Sequence, residues 1–432
     1  MISYQEALDC ILNAAGRPIV KNYVVSDVLN RVVAEDVYSP ISLPSFANSA
    51  MDGFAICAKD IEMATEHTPI YLNIVDSIYA DGSLKTYSGK LIAVEINTGA
   101  VVPPLFDAVI KVENIEKIVL DNDKVHIKII KPIASGTNIR QIGEDFQLNE
   151  KVLNEGTKVS ANHLLALSSL GVKRLKTYAL PRLVVISTGK ELLNSTEKTQ
   201  LSMGKIYDAN TPYLLAFANE LGIKASYYGH VPDDETVYKA LLTDFLDKVN
   251  EPTIFISTGA VSAGSRDFIP STLQELGAEI LFHRVSIKPG KPMLFGKFTN
   301  DVYFFCLPGN PIATAVGMRF FIYPLIRKLL CMSRERPFKA KLVNVIKSRN
   351  TVTEFFKASF YMNYNNQLCV ESLLDQESFK TKPMLQANSW AVLEEEKSFA
   401  AVEDFISVFP CDPNSFLIQN LGAICYDRAY SN

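Results

Sequence analysis

The sequence predicts a multidomain chain of class α/β plus β, and three observations predict it. From Pro181 to about Leu330, near-continuous apolar runs at 183–186, 253–256 and 302–306 alternate with helical segments. Strands of that kind are buried on both faces, as in a doubly wound parallel sheet covered by helices. From Pro44 to about Lys131 the runs are short and alternating and sit between Gly, Pro and Asn, which predicts a mostly β unit. From Arg334 onward short strands with turn signals return around the single tryptophan, Trp390.

The elements follow in order. Ser3 with Glu6 forms a capping box, and Ala7, Leu8, Ile11, Leu12 and Ala15 then recur at helical spacing. Residues 162–170 form a short helix that ends at Gly171. Helical pieces on both sides of the β unit predict one discontinuous α+β domain, residues 1–45 and 132–178, carrying a β insert at 46–131. The α/β domain spans 179–331, with weaker strands near Ala225 and Ile280. Its helices open at Asn210-Thr211-Pro212, at Asp233-Asp234, after Asp267 and at Asn310-Pro311. A C-terminal β domain occupies 332–432. The length of 432 residues agrees, at ~150 residues per domain.

Composition excludes several functions. Hydrophobic residues make up 48% and charged residues 21%, close to the globular average, so sizeable cores are expected. Lys+Arg total 43 against Asp+Glu 47, a net charge of -4, which leaves no basic excess for coating nucleic acid. The 7 cysteines are scattered without a C-x-x-C, which argues against a disulfide framework or zinc ribbon and for free thiols in a reducing cytoplasm. No basic stretch followed by an apolar run opens the chain, so no signal peptide is expected. The most apolar helix, 313–332, is interrupted by Arg319, Arg327 and Lys328 and is no membrane span.

Three loops that leave strands of the α/β domain are rich in small residues. They are Ser187-Thr188-Gly189-Lys190-Glu191; the run 257–267, which holds Thr258, Gly259, Ala260, Ser262, Ala263, Gly264 and Asp267; and Leu307-Pro308-Gly309-Asn310-Pro311. Such loops let backbone N–H groups approach an anion at a helix N-terminus. Each alone is equally explained as a turn or cap; three on one sheet edge favour a ligand site. Neither a P-loop nor a G-x-G-x-x-G is present. Lys288-Pro289-Gly290-Lys291-Pro292 adds two point charges suited to oxyanions, or else two surface lysines on a turn. Glu191, Asp233, Asp234 and Asp267 supply oxygen ligands for Mg²⁺, or simply cap helices. The 5 histidines are dispersed and receive no role. Three further segments, 44–55, Asn97-Thr98-Gly99-Ala100 and 138–145, read as turns on composition alone.

Taken in order, S-A-M-D-G-F-A, I-N-T-G-A, N-I-R-Q-I-G-E-D, S-T-G-K-E-L, G-K-I-Y-D-A-N, I-K-P-G-K-P and L-P-G-N-P resemble the molybdopterin molybdenumtransferases, the MoeA family that includes the E domain of gephyrin. The match runs from Met1 to about Leu330; the C-terminal part agrees only in length and β character. The resemblance implies an elongated homodimer with a MogA-like molybdopterin-binding α/β domain, residues 1–45 and 132–178 serving linkage and dimerisation. It implies an active site between that domain and the β insert of the partner. The implied reaction moves molybdenum from molybdate into adenylylated molybdopterin with release of AMP, with Mg²⁺ as cofactor. A molybdopterin adenylyltransferase would supply the substrate and apo-molybdoenzymes would accept the product.

Carried over by position, Asp52, Glu191, Asp233, Asp267, Lys288 and Lys291 are the implied catalytic residues, with Glu191, Asp233 and Asp267 on the metal. Thr98, Arg140, Asp145, Ser187, Thr188, Gly189, Thr258, Gly259, Ser262, Gly264, Pro308, Gly309 and Asn310 are the implied substrate contacts. The chain departs from the family pattern at Lys190, where an acidic residue is usual, and at Ala260, where glycine is usual. It departs again at Ala263, where valine is usual, and after Arg140, where a run of arginines is reduced. Two other readings compete: a weakly catalytic or scaffold relative that holds the cofactor, and a molybdopterin adenylyltransferase.

Overall fold

The computed structural model describes residues 1–80, 84–120, 124–193, 201–259, 268–298, 301–348 and 352–413, and the backbone of 419–420. The chain enters through the expected capping box: the Glu6 N–H donates to Ser3 Oγ at 3.2 Å and the Ser3 N–H to the Glu6 carboxylate at 2.8 Å. This starts α1 (Tyr4–Ala14), which buries Ala7, Leu8 and Ile11. A strand at 20–24 pairs antiparallel with 174–178, so the chain before the insert closes on the chain after it. α2 (Ala161–Ser169) is capped by Ser160 and stops at Gly171, whose φ of 68° is one glycine adopts freely.

Between them lies a sheet of β1 (Gly53–Ile56), β2 (Ile70–Ile78), β3 (Ile92–Ile96), β4 (Ala108–Lys111), β5 (Glu116–Leu120) and β6 (Lys124–Ile129). Its order is β4-β1-β3-β2-β6-β5. Phe54 and Ile56 pack on one face with Leu72 and Ile127; Ala55 and Val94 pack on the other with Val109. Gly53 was expected in a turn. It instead opens β1, where a Cβ would stand 1.9 Å from the Ile110 carbonyl oxygen, so glycine serves strand contact there.

The second large sheet uses β7 (Arg182–Thr188), β8 (Ala225–Val231), β9 (Thr253–Gly259) and β10 (Glu279–His283). The short β11 (Ile287–Lys288) then leaves this sheet, which is completed by β12 (Leu294–Phe298) and β13 (Val302–Pro308). The order is β8-β7-β9-β13-β12-β10. β8, β7, β9 and β13 are parallel, as their apolar runs predict. The expected all-parallel sheet is corrected to a mixed one, because β12 runs antiparallel to both β13 and β10. β12 returns into β13 over a hairpin-length connection, too short for the crossover that parallel pairing needs. Around the sheet lie α3 (Asn210–Glu220), α4 (Glu235–Lys248), α5 (Ile269–Glu275) and α6 (Pro311–Gly317); a wider π turn joins α6 to α7 (Tyr323–Leu329). Leu183, Val185 and Ile254 fill one side of the sheet and Val184, Ile186 and Phe255 the other.

C-terminal to α7 come β14 (Phe338–Leu342), β15 (Thr353–Met362), β16 (Leu368–Ser372), β17 (Ser389–Leu393) and β18 (Phe405–Pro410). β15 pairs with β16, β16 with β14, β14 with β18, β18 with β17 and β17 with β15, so the strands close into a ring. β11 joins this ring by pairing in parallel with β15. The chain is thus mixed α/β, with several sheets and few helices, and among the described residues no helix is long and apolar enough to cross a membrane.

Candidate active site

β7, β9 and β13 end at one edge of the mixed sheet, with Ser187 beside Thr258 and Gly259 beside Pro308. Gly189 and Gly259 leave that edge with φ of 137° and 114°, conformations that strain any side chain. A Cβ on Gly259 would stand 2.1 Å from the Thr188 carbonyl oxygen, so glycine lets two loops touch. Thr188 Oγ1 donates to the Thr258 carbonyl at 3.0 Å, and Thr314 Oγ1 donates to the Pro308 carbonyl at 2.8 Å.

Together these loops wall a cleft of ≈560 Å³, lined by Thr188, Glu191, Thr258, Gly259, Lys291, Pro308, Gly309 and Asn310 among others. Open sheets of this kind place ligands at the carboxyl ends of their strands. Leu192 pairs in parallel with Ile206, which brings the G-K-I-Y-D-A-N segment to the cleft. Asp208 starts α3 by accepting from the Asn210 and Thr211 N–H groups, each at 3.0 Å. Asn210 then lines the cleft and donates Nδ2 to the Gly309 carbonyl at 2.9 Å. Its Oδ1 and the Thr258 Oγ1 are buried with no hydrogen-bond partner among the described residues. Buried polar atoms of this kind ask for a partner.

Two cations line the cleft, Lys291 and Arg284, and neither has a carboxylate partner among the described residues. Sequence reasoning missed both Arg284 and Asn210. Asn210 stood in a quoted motif; Arg284 carried no signal, and its φ of 75° is visible only in the structure.

The lysine pair divides. Lys288 lies in β11, with Nζ 3.4 Å from a Glu354 carboxylate oxygen. The other oxygen of Glu354 accepts from the Ser348 hydroxyl. Lys288 therefore leans on the C-terminal strands and is absent from the cleft lining, whereas Lys291 faces the cleft. Ser187 is also absent from the lining; its Oγ is 2.9 Å from the Tyr227 hydroxyl and 3.3 Å from His230 Nδ1. Asp233 is exposed one strand outward, beyond the lining. Neighbouring Asp234 caps α4 by accepting from the Thr236 and Val237 N–H groups at 2.9 and 3.1 Å. Ser262, Gly264 and Asp267, with Ala260 and Ala263, lie outside the described residues. Among the described residues no three His, Cys, Asp or Glu side chains converge as a metal cluster.

A second locus forms on the insert, where three segments read as separate turns come together. The Ser49 N–H donates to the Ala100 carbonyl at 3.0 Å, the Gly99 N–H to the Ser49 carbonyl at 2.8 Å and the Ala50 N–H to the Asn138 carbonyl at 2.9 Å. Arg140 pairs with Asn48, and the Asp145 N–H donates to the Leu43 carbonyl at 2.9 Å. At its centre Asp52 Oδ1 accepts from the Thr98 N–H at 2.7 Å and from the Thr98 hydroxyl at 2.9 Å. The backbone N–H first, then the hydroxyl, hold the Asp52 carboxyl below the usual carboxylate range. Asp52, Thr98, Arg140 and Asp145 are all exposed, and none of them lines the cleft of its own chain. A larger cavity, ≈880 Å³ between α1, α7 and the C-terminal strands, lacks the glycine loops. Its buried Arg319 is already paired with Glu335 at 2.6 Å.

The arrangement defines a class, a mixed α/β chain of several sheets with a cleft at a glycine-bearing sheet edge lined by Lys291 and Arg284, and comparison with known proteins gives that class a family. Residues 2–171 match the MoeA N-terminal region (domains I and II), and residues 184–328 match a probable molybdopterin-binding domain. The chain is 30% identical over 414 residues to the molybdopterin molybdenumtransferase of Haemophilus influenzae, covering 95% of this chain and 98% of that one. It is 31% identical over 371 residues to that of Bacillus subtilis, covering 85% and 84%. The crystal structure of a molybdopterin biosynthesis MoeA protein from Pyrococcus horikosii superposes with a TM-score of 0.79 at 27% identity, over 95% of this chain and 99% of that one. The chain belongs to the molybdopterin molybdenumtransferase family, and is a transferase of molybdenum cofactor biosynthesis.

Proposed function

We propose that the chain moves molybdenum from molybdate into adenylylated molybdopterin, with release of AMP, in the cleft at the carboxyl edge of the mixed sheet. One observation carries this reading: Lys291, Arg284, Glu191 and the small residues at three strand ends (Thr188, Thr258–Gly259 and Pro308–Asn310) converge on a single ≈560 Å³ cleft. Both reactants are anions. Lys291 and Arg284 hold phosphate or molybdate oxygens as point charge and planar fork respectively. Loop N–H groups at Gly259 and Gly309 approach the phosphates without side-chain obstruction, and the preorganised donors favour the charge that builds as AMP departs.

The donor set fits Mg²⁺. The Glu191 carboxylate lines the same cleft as Asn210 and Thr258, whose Oδ1 and Oγ1 have no hydrogen-bond partner among the described residues, and a hard cation takes such oxygens. When bound, Mg²⁺ supplies neutralisation of pyrophosphate charge. Asp267 belongs to this set by family position, and Asp233, on the neighbouring strand end, contacts the adenylate side.

The reading includes a homodimer. Asp52, Thr98, Arg140 and Asp145 form an exposed, prearranged surface with no role in their own chain's cleft, which supports their action on the partner's cleft. A molybdopterin adenylyltransferase supplies the substrate, and apo-molybdoenzymes in the cytoplasm take the product. The division of the lysines favours one second reading, a carrier that holds cofactor without turnover, since Lys288 is engaged by Glu354.

AMP release from adenylylated molybdopterin, measured with purified chain and Mg²⁺ across a molybdate titration, tests both. Molybdate-dependent release, with product that reactivates an apo-molybdoenzyme, is expected. Binding without release would establish the carrier.

A further inference from the structure

We infer that Lys357, on the outer face of the C-terminal ring of strands, is a positioning residue for the cleft: it fixes the loop at 375–380, which in turn fixes the Pro308–Asn310 wall. The inference rests on the reading of that cleft as the reaction site. Lys357 lies in the middle of β15 and is 0% exposed. Its Nζ donates to the backbone carbonyls of Asp375, Lys380 and Glu377 at 2.7, 3.1 and 3.3 Å. Every N–H of the ammonium is thereby used, the condition under which a buried charge is tolerated. Gln376 adds a second tie, accepting from the Lys357 N–H and donating to the Lys357 carbonyl, each at 2.9 Å. The loop is therefore wound around one side chain.

The far side of that loop reaches α6, where the Ser378 carbonyl accepts from the Ile312 N–H at 3.1 Å. Ile312 sits in the first turn of α6, where backbone donors have no intrahelical partner, and the Asn310 side chain caps none of them. The residues just before it, Pro308, Gly309 and Asn310, are cleft wall, tied to the helix by Thr314. A continuous set of contacts thus runs from Lys357 through the loop to Ile312 and the wall. β15 also holds the segment leading to the cleft-lining Lys291, since Thr353 and Glu354 pair with Ile287 and Lys288. A wall that must be ordered at each binding event weakens substrate binding, so the loss of such anchoring falls on KM.

The test uses the full chain with Lys357→Met, Lys357→Arg and Gln376→Ala. Two readouts are taken: hydrogen exchange at the Ile312 amide, and KM and kcat for AMP release from adenylylated molybdopterin at saturating molybdate. Lys357→Met is expected to speed Ile312 exchange by ~10-fold or more. It is expected to raise KM by ~10-fold while kcat changes less than ~3-fold, with Lys357→Arg recovering part of both. Where Lys357→Met does not fold, Gln376→Ala carries the same two criteria with smaller shifts. Ile312 protection that is unchanged in the folded variants, or an unchanged KM, would overturn the inference and leave Lys357 as a brace for its own loop. Absence of AMP release from the unsubstituted chain would instead sink the functional reading, and Ile312 exchange would still decide the positioning.

Discussion

At the carboxyl edge of the mixed sheet, polar groups keep capacity to spare. Among the described residues, Asn210 Oδ1 and Thr258 Oγ1 are buried without hydrogen-bond partners, and Lys291 and Arg284 face the cleft without a carboxylate. Around Asp52 more is engaged: its Oδ1 accepts from the N–H and hydroxyl of Thr98, and the segments beside it are stitched together by backbone bonds. A concave site with unsatisfied groups selects a ligand, whereas an exposed surface held by backbone bonds offers a rigid shape to something brought to it. On the homodimer proposed above, the two regions are the two halves of one site, contributed by different copies.

Breaking that pairing gives the largest expected effect. Lys291→Ala should lower kcat/KM for AMP release by on the order of 100- to 1,000-fold, as loss of a preorganised charge does. Asp52→Asn should also be strongly impaired although it leaves the cleft intact. Mixing the two inactive chains under conditions of subunit exchange should restore roughly a quarter of the unsubstituted activity, because random pairing makes half the dimers mixed, each with one intact site. Activity of the mixture that never exceeds the sum of the separate chains would place both residues in one copy's site and end the comparison.

A smaller effect sharpens it. Gly259 in the cleft and Gly53 beside Asp52 both let backbones approach, at 2.1 and 1.9 Å from where a Cβ would stand. Gly309 has its nearest atom at 3.6 Å and no left-handed φ. Gly259→Ala and Gly53→Ala should each cost about 1–3 kcal/mol in denaturant unfolding, with Gly309→Ala within about 0.5 kcal/mol of the parent. Equal losses at all three would show that close approach is not what glycine supplies.

Much of the architecture was legible because it is written in local pattern. The continuous runs of β7, β9 and β13 report burial on both faces, and Ser3 with Glu6 reports a helix start. β12 was missed because Gly296 and Lys297 interrupt its apolar run, while its antiparallel direction depends on a partner that local pattern does not name. The site divides similarly. Glu191, Thr258, Gly259, Lys291 and Gly309 come to one cleft from strand ends that the sequence marks. The parting of Lys288 from Lys291 was invisible, since a three-residue spacing around two prolines does not say which sheet captures the first lysine. The gathering of Asn48, Thr98 and Arg140 around Asp52 was equally hidden, for it rests on pairings two residues long.

The smallest expected effect tests how far the closed character of the insert extends. Asp76 on β2 accepts from Lys85 Nζ at 2.8 Å, the Tyr87 hydroxyl at 2.9 Å and the Ser77 N–H at 2.8 Å. These bonds, the lysine first, hold its pKa down to about 2. The folded state therefore prefers the ionised carboxylate more than the unfolded chain does. Its contribution is complete above the ordinary carboxylate pKa of about 4 and is lost as pH falls toward about 2. Asp76→Asn should lower the denaturant midpoint near neutral pH and flatten the fall in stability between about pH 4 and pH 2. The Asp52 carboxyl is depressed for the same kind of reason, so Asp52→Asn should flatten the same acid limb, whereas Lys291→Ala should leave it alone. An acid limb that responds equally to all three would mean that low pH reports the cleft as much as the insert, and the contrast between open and closed polar groups would lose its basis.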